Sequence, residues 1–188
     1  MQRPSLLLRT ADVAGQPWRN GGGVTRELLA LPAGERWRVR VSVADVDADG
    51  PFSAFDGVER WFAVVAGAGV VLTIDGVEHR CNADGDALAF AGAARTTCVL
   101  IDGPTRDLNL MLRGVRGALD RVVAGAMWRP WVNQCGLYAT TAGTVVGDGD
   151  RLPEPIPAHA LRWWHDAPDP IAFDGAGWWL SAEIGATA

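Results

Sequence analysis

The sequence predicts an all-β chain, a sandwich or barrel, on three observations. Apolar and polar residues alternate at period two along many short segments. Turn signals built from Gly, Asp and Pro separate those segments. No stretch carries a helical pattern. Regularly spaced short strands of this kind fold as packed or closed antiparallel sheets.

In chain order, Leu6 to Val13 reads as a short strand. Pro17 to Glu27, PWRNGGGVTRE, is a turn that feeds a strand running on to Leu31. Three glycines in a row belong where the backbone takes positive φ or passes close to a neighbour. The turn holds Trp18 and Asn20. Beyond it Val24, Arg26 and Leu28 point one way, and Thr25, Glu27 and Leu29 the other. The turn is either a tight corner with a packed Trp or a rim that closes over a ligand.

Pro32 to Gly34 turns into the clearest strand, Trp37 to Val46, with Trp37, Val39, Val41 and Val43 on one face and Arg38, Arg40 and Ser42 on the other. Ala44 to Phe55 is a loop. Arg60 to Ala66 and Val70 to Ile74 are strands, and Asp75-Gly76 is a hairpin turn. Ala87 to Phe90, Arg95 to Ile101 and Asp107 to Leu112 follow. In the last of these, Leu108, Leu110 and Leu112 oppose Asp107, Asn109 and Met111. Leu119 to Met127 and Cys135 to Thr141 read as strands, Val145 to Pro157 as a loop. Leu161 to His165, Ile171 to Phe173 and Trp178 to Ile184 complete the chain. The 188 residues suit one compact unit (1–188) with a main lobe over 1–112 and a less regular lobe over 113–188.

Composition narrows the function. A net charge of -5 argues against a nucleic-acid surface. No apolar run is long enough to span a membrane, and the N-terminal apolar stretch is too short for a signal-peptide core, so a cytoplasmic protein is expected. Cys81, Cys98 and Cys135 are odd in number and scattered, which predicts buried free thiols. All 17 basic residues are Arg, whose planar fork matches carboxylates. His79, His159 and His165 lack metal-pair spacing, and no nucleophile elbow, phosphate loop or dinucleotide fingerprint is present.

Several strands pair a wholly apolar face with one bearing Arg40 and Ser42, or Asp107 and Asn109, while Arg60 shares a face with Phe62 and Val64. If the apolar faces are packed, the polar ones line a lumen. There a buried Arg needs a partner, either Asp107 or Glu27 or a ligand carboxylate. A solvated sheet face produces the same alternation. Glu27, Asp45 and Glu59 are candidate catalytic carboxylates.

The stretch from Pro51 to Met111, with FSAFDGVERWFAVVAGAG, LTIDG and GDALAFAG, resembles a cupin barrel. That resemblance implies a glutamate slot at Glu59 and histidine slots at Ser53, Phe55 and Arg95, hence no metal site and no cofactor. More specifically, PWRNGGGVTRE, RVSVADVDADGPFSAFDGVER (Arg40 to Arg60) and GPTRDLNLM (Gly103 to Met111) resemble the bacterial HutD/Ves family. Where that family tends to carry Trp before the strand Arg, this chain has Val39, with its Trp at Trp37. The resemblance implies a cupin-like β-barrel or sandwich in two lobes forming a compact bicupin. It implies a regulator of histidine utilisation that binds a small anionic intermediate, N-formylglutamate or similar, and no established enzymatic activity. By motif position the ligand-binding residues are Trp18, Asn20, Thr25, Arg26, Glu27, Arg40, Ser42, Arg60, Asp107 and Asn109. The alternatives are a metal-independent cupin-fold isomerase or hydrolase using Glu27 or Glu59 as general base, and a Ves-like protein outside histidine metabolism. Monomer and homodimer both stay open, as the Trp-rich C-terminus serves either a subunit contact or the filling of the second lobe.

Overall fold

A computed structural model describes residues 5–147 and 152–184. Its first strands are β1 (Ser5–Arg9), β2 (Gln16–Pro17), β3 (Gly23–Leu31), β4 (Val39–Val46), β5 (Gly50–Pro51) and β6 (Val58–Ala66). Then come β7 (Val70–Ile74), β8 (Val77–Cys81), β9 (Leu88–Ala91), β10 (Thr96–Leu100), β11 (Thr105–Arg113) and β12 (Arg116–Arg121). The last are β13 (Gln134–Ala139), β14 (Gly143–Gly147), β15 (Glu154–Ile156), β16 (Ala160–Trp164), β17 (Ile171–Phe173) and β18 (Gly177–Glu183). One turn of 3-10 helix, Thr10–Asp12, takes over where the first expected strand was to continue. Among the described residues no helix is long and apolar enough to cross a membrane.

The chain divides into two compact units. Ala14–Gly114 contains a six-stranded sheet, β2-β3-β4-β11-β6-β9, and a four-stranded sheet, β5-β10-β7-β8. The facing sides of these sheets share one apolar core, with Ala44, Val46, Phe62 and Val64 from the larger and Val70, Leu72, Ile74, Cys81 and Cys98 from the smaller. The hairpin β7–β8 turns at Asp75 and Gly76, whose φ values of 47° and 87° are both positive, as a two-residue hairpin turn requires.

The other unit has a five-stranded sheet, β1-β16-β13-β18-β12, and a three-stranded sheet, β15-β14-β17. The N-terminal strand therefore belongs with the C-terminal unit, pairing Ser5 with Trp164 through Arg9 with Ala160. The expected main lobe began instead at residue 1. The core of this unit includes Leu137, Ile156, Trp164, Phe173 and Trp179, and the Trp128 ring stacks on Trp179 at 4.5 Å. Trp163, Trp164, Trp178 and Trp179 are all buried within the chain. Filling is thus the role of the Trp-rich C-terminus. The expected loop from Val145 to Pro157 holds the end of β14 and the whole of β15, and its middle lies outside the described residues.

All three cysteines are free and buried. Burial pushes the Cys81 thiol to about 11 and the Cys98 thiol to about 12, with Asp107 adding to both. Both stay protonated at neutral pH.

Candidate functional site

The strand register assembles the site. Across the core-facing side of the six-stranded sheet, Arg40 on β4 is opposite Met111 on β11, which is opposite Arg60 on β6, which is opposite Phe90 on β9. One row deeper come Glu27, Ser42, Asn109 and Phe62. The next row is Thr25, Ala44, Asp107 and Val64. Period-two alternation on three adjacent strands thus stacks two arginines above an amide and a hydroxyl, and a carboxyl below these.

These rows form the floor of a cavity of about 600 Å3 within residues 14–114. Arg40, Ser42, Arg60, Asn109 and Met111 line the floor. Trp18, Asn20 and Thr25 from the glycine hairpin, and Phe52, Ser53 and Phe55 from the loop after β5, complete its lining. The loop carrying the phenylalanines is held to the sheet edges, with Phe52 N donating to Thr96 O at 3.0 Å and Phe55 N to Gly92 O at 2.8 Å.

Arg60 is buried, at 7% exposure. Its Nε and Nη2 both donate to Asn109 Oδ1, at 2.9 and 2.7 Å. Its guanidinium carbon lies 4.5 Å from the Phe52 ring centre and 5.6 Å from that of Phe90. Burial lowers its pKa to about 10, against the pull of Asp107, and the side chain stays cationic at neutral pH. Asn109 is neutral, so this cation is positioned without being neutralised. Arg40 differs. Its Nε donates to Glu27 Oε2 at 2.6 Å, and Nη1 reaches Met111 Sδ at 3.9 Å.

The rim is built by the glycine turn. Trp18 Nε1 donates to Thr25 Oγ1 at 2.7 Å, and the Trp18 ring meets Phe52 edge-on at 6.1 Å. Asn20 Oδ1 accepts from Gly22 N at 3.1 Å. Of the three glycines, Gly21 takes φ 71°. Gly23 serves close approach: a Cβ there would sit 2.5 Å from Asp45 O and 3.2 Å from the Trp18 ring. Neither the carbonyl nor the packed indole gives way cheaply, so Gly23→Ala is expected to lower stability by about 1–3 kcal/mol. Urea unfolding checks this, and an unchanged midpoint would refute the close-packing role.

The expected ligand set splits. Trp18, Asn20, Thr25, Arg40, Ser42, Arg60 and Asn109 line the cavity. Arg26 does not. It is opposite Val43 on the reverse face, where it and Arg106 clasp Asp45, with Arg106 Nε to Asp45 Oδ1 at 2.6 Å. Burial works against charge on Asp45, but the hydrogen bonds from Arg106 and Arg26 outweigh it and hold its carboxyl low. Glu27 is exposed and engaged by Arg40. Asp107 lies below the floor, fully buried. Glu59 and Arg95, assigned to cupin metal slots, are exposed, and Glu59 follows the opposite parity to Arg60. Among the described residues no group of three or more His, Cys, Asp or Glu could hold a metal. Phe52 was missed because a loop has no period from which to read its direction. Ser53 and Phe55 entered the sequence reading only as occupants of histidine slots.

Two packed antiparallel sheets enclosing a polar-floored cavity define a cupin-like protein. The chain belongs to the HutD family, whose profile matches residues 10–150. An uncharacterised 21.2 kDa protein from the hutC 3' region of Pseudomonas putida is 40% identical over 110 residues, 56% of each chain. The match thus spans little more than half of that relative. Protein Ves of Citrobacter koseri is 31% identical over 152 residues, 79% of this chain and 77% of its own. The structure of HutD from Pseudomonas fluorescens SBW25, in a formate condition, superposes with a TM-score of 0.85 at 28% identity, over 97% of this chain and all of that one.

Proposed function

We propose that this chain is a small-molecule-binding protein of histidine utilisation whose cavity takes an anionic intermediate. A linear dicarboxylate bearing a small amide, such as N-formylglutamate, fits the arrangement. The observation that carries the reading is Arg60, a buried guanidinium held by the neutral Asn109 with the rest of its fork uncommitted, on the floor of a cavity. A buried cation without an ion-pair partner is unfavourable. A carboxylate that completes the fork relieves that, each charge-assisted bond contributing about 1.5–3 kcal/mol. Arg40 offers a second carboxylate its remaining donors, in competition with Glu27. Ser42 and the amide of Asn109 lie within the same floor for a neutral polar group, and Trp18 covers it from the rim. The association with histidine utilisation comes from the family name and from the hutC neighbourhood of the Pseudomonas putida relative.

Of the two bases named for the enzymatic alternative, Glu27 is engaged by Arg40 and Glu59 follows the opposite strand parity to Arg60. A Ves-like protein outside histidine metabolism would respond to none of that pathway's compounds, so one experiment addresses this alternative too. In a thermal-shift titration against N-formylglutamate, urocanate, histidine and glutamate, with sulfate as control, N-formylglutamate at a hundredfold over its Kd adds about 2.7 kcal/mol. The midpoint should rise by roughly 5–10 °C for a chain of this size. An equal shift with sulfate, or none with any pathway compound, would refute the assignment.

A further inference from the structure

We propose that Asp107 is the proton site of this cavity, so that an anion settling on Arg60 is taken up together with one proton that Asp107 holds. The proposal rests on the reading of the cavity as an anion site. Asp107 is 0% exposed, two residues along β11 from the Asn109 that holds Arg60, and lies between Ala44 and Val64 in the sheet. Its Oδ2 accepts from Thr105 Oγ1 at 3.4 Å, and its Oδ1 has no partner. A carboxyl with an orphaned oxygen among apolar side chains favours the neutral form.

The groups that bear on it are few. Arg60 on β6 draws it toward ionisation, and Asp45, on the reverse face of β4, opposes that. From the smaller sheet, β7 brings Val70, Leu72 and Ile74, while β8 and β10 bring the thiols of Cys81 and Cys98, both neutral near pH 7. On the same face of the larger sheet, Arg40 on β4 and Glu27 on β3 pair with each other, and on β8 His79 is opposite Leu72. Burial pushes Asp107 up to about 7, with the Thr105 hydrogen bond and Arg60 limiting the rise.

In the empty cavity Arg60 is the cation whose field lets Asp107 ionise. An anion on Arg60 offsets that field and adds a negative charge nearby, so the carboxyl then keeps its proton. Below about pH 7 Asp107 is already protonated and the anion binds at full strength. Above it the proton must be recovered from solvent on binding, and affinity falls by up to tenfold per pH unit.

Calorimetric titration of the full chain tests this with N-formylglutamate as the probe, since its carboxylates stay ionised from pH 6 to 8.5. The wild type should bind at least tenfold more weakly at pH 8.5 than at pH 6, and its binding heat at pH 7.5 should vary with the ionisation enthalpy of the buffer. Asp107→Asn should bind with the same affinity at both pH values and more tightly than wild type at pH 8.5. His79→Gln should retain the wild-type slope. A flat wild-type profile, a slope that survives in Asp107→Asn, or one that vanishes in His79→Gln would overturn the proton link while leaving the anion site standing. Absence of binding by wild type and Asp107→Asn at both pH values would overturn the anion site, and the proton link with it.

Discussion

Arg60→Ala is expected to weaken N-formylglutamate binding by at least a hundredfold, the largest effect of any single substitution in the cavity. The fork of Arg60 offers a carboxylate two charge-assisted bonds, together about 3–6 kcal/mol, or a factor of roughly 10² to 10⁴ in Kd. Arg40→Ala should cost much less, about tenfold, because Arg40 already donates to Glu27 and a ligand gains only what that pair releases. Arg60→Lys should fall between the two, keeping the charge but not the planar fork. Arg60→Ala also opens a void beside Phe52 and Phe90 and strips Asn109 Oδ1 of both its donors. Arg60→Met, which fills more of that void, separates the loss of the cation from the loss of packing. If Arg60→Ala and Arg60→Met fold and bind like wild type, the floor arginine is not the anchor.

The ordering of these effects was only half legible in the sequence. Alternation on Val39 to Val46 and on Asp107 to Leu112 identified which side chains share a face. The structure pairs those strands in register, Arg40 with Met111 and Ser42 with Asn109. It did not identify which candidates share a cavity. Arg26 and Glu27 are neighbours in one motif, yet strand parity sends Arg26 to the ion cluster around Asp45 and Glu27 to Arg40. Glu59 and Arg60 divide in the same way, and there parity contradicts the slot expected from cupin spacing. Parity failed where the register shifts: between Glu27 and Leu29, so that Leu28 and Leu29 are both buried, and between Arg106 and Asp107, where β6 carries the extra residue and Val64 and Val65 are both buried. A bulge of this kind inserts a residue without leaving a turn signal. Sequence also could not choose Asn109 over Asp107 or Glu27 as the partner of Arg60. All are on the core-facing side, and only the row spacing places the amide within reach and the carboxyls out of it.

That misplaced carboxyl leads to the second large expectation: Asp107→Asn should stabilise the empty protein at pH 8 and not at pH 4. In the unfolded chain an Asp titrates near 3.9, whereas burial holds Asp107 at about 7 in the fold. Below about pH 4 both states carry the proton and the group contributes no difference. Between about pH 4 and 7 the unfolded chain ionises while the folded one keeps its proton, so stability falls as pH rises. Above about pH 7 the deficit is constant, on the order of 4 kcal/mol. Asparagine keeps the shape and removes the ionisation, but its amide group must still be accommodated beside the apolar core, which offsets about 1–2 kcal/mol. A net gain of about 2–3 kcal/mol at pH 8 should therefore shrink to nothing, or reverse, at pH 4. Urea unfolding of wild type and Asp107→Asn at the two pH values measures it without any ligand. An equal stability difference at both would mean that the Asp107 carboxyl titrates as it does in the unfolded chain, and its place below Arg60 would then have no protonation consequence. A difference confined to high pH would instead identify a residue whose charge costs stability where a neutral amide of the same shape would not, as expected of a group tuned to a bound anion and not to the fold.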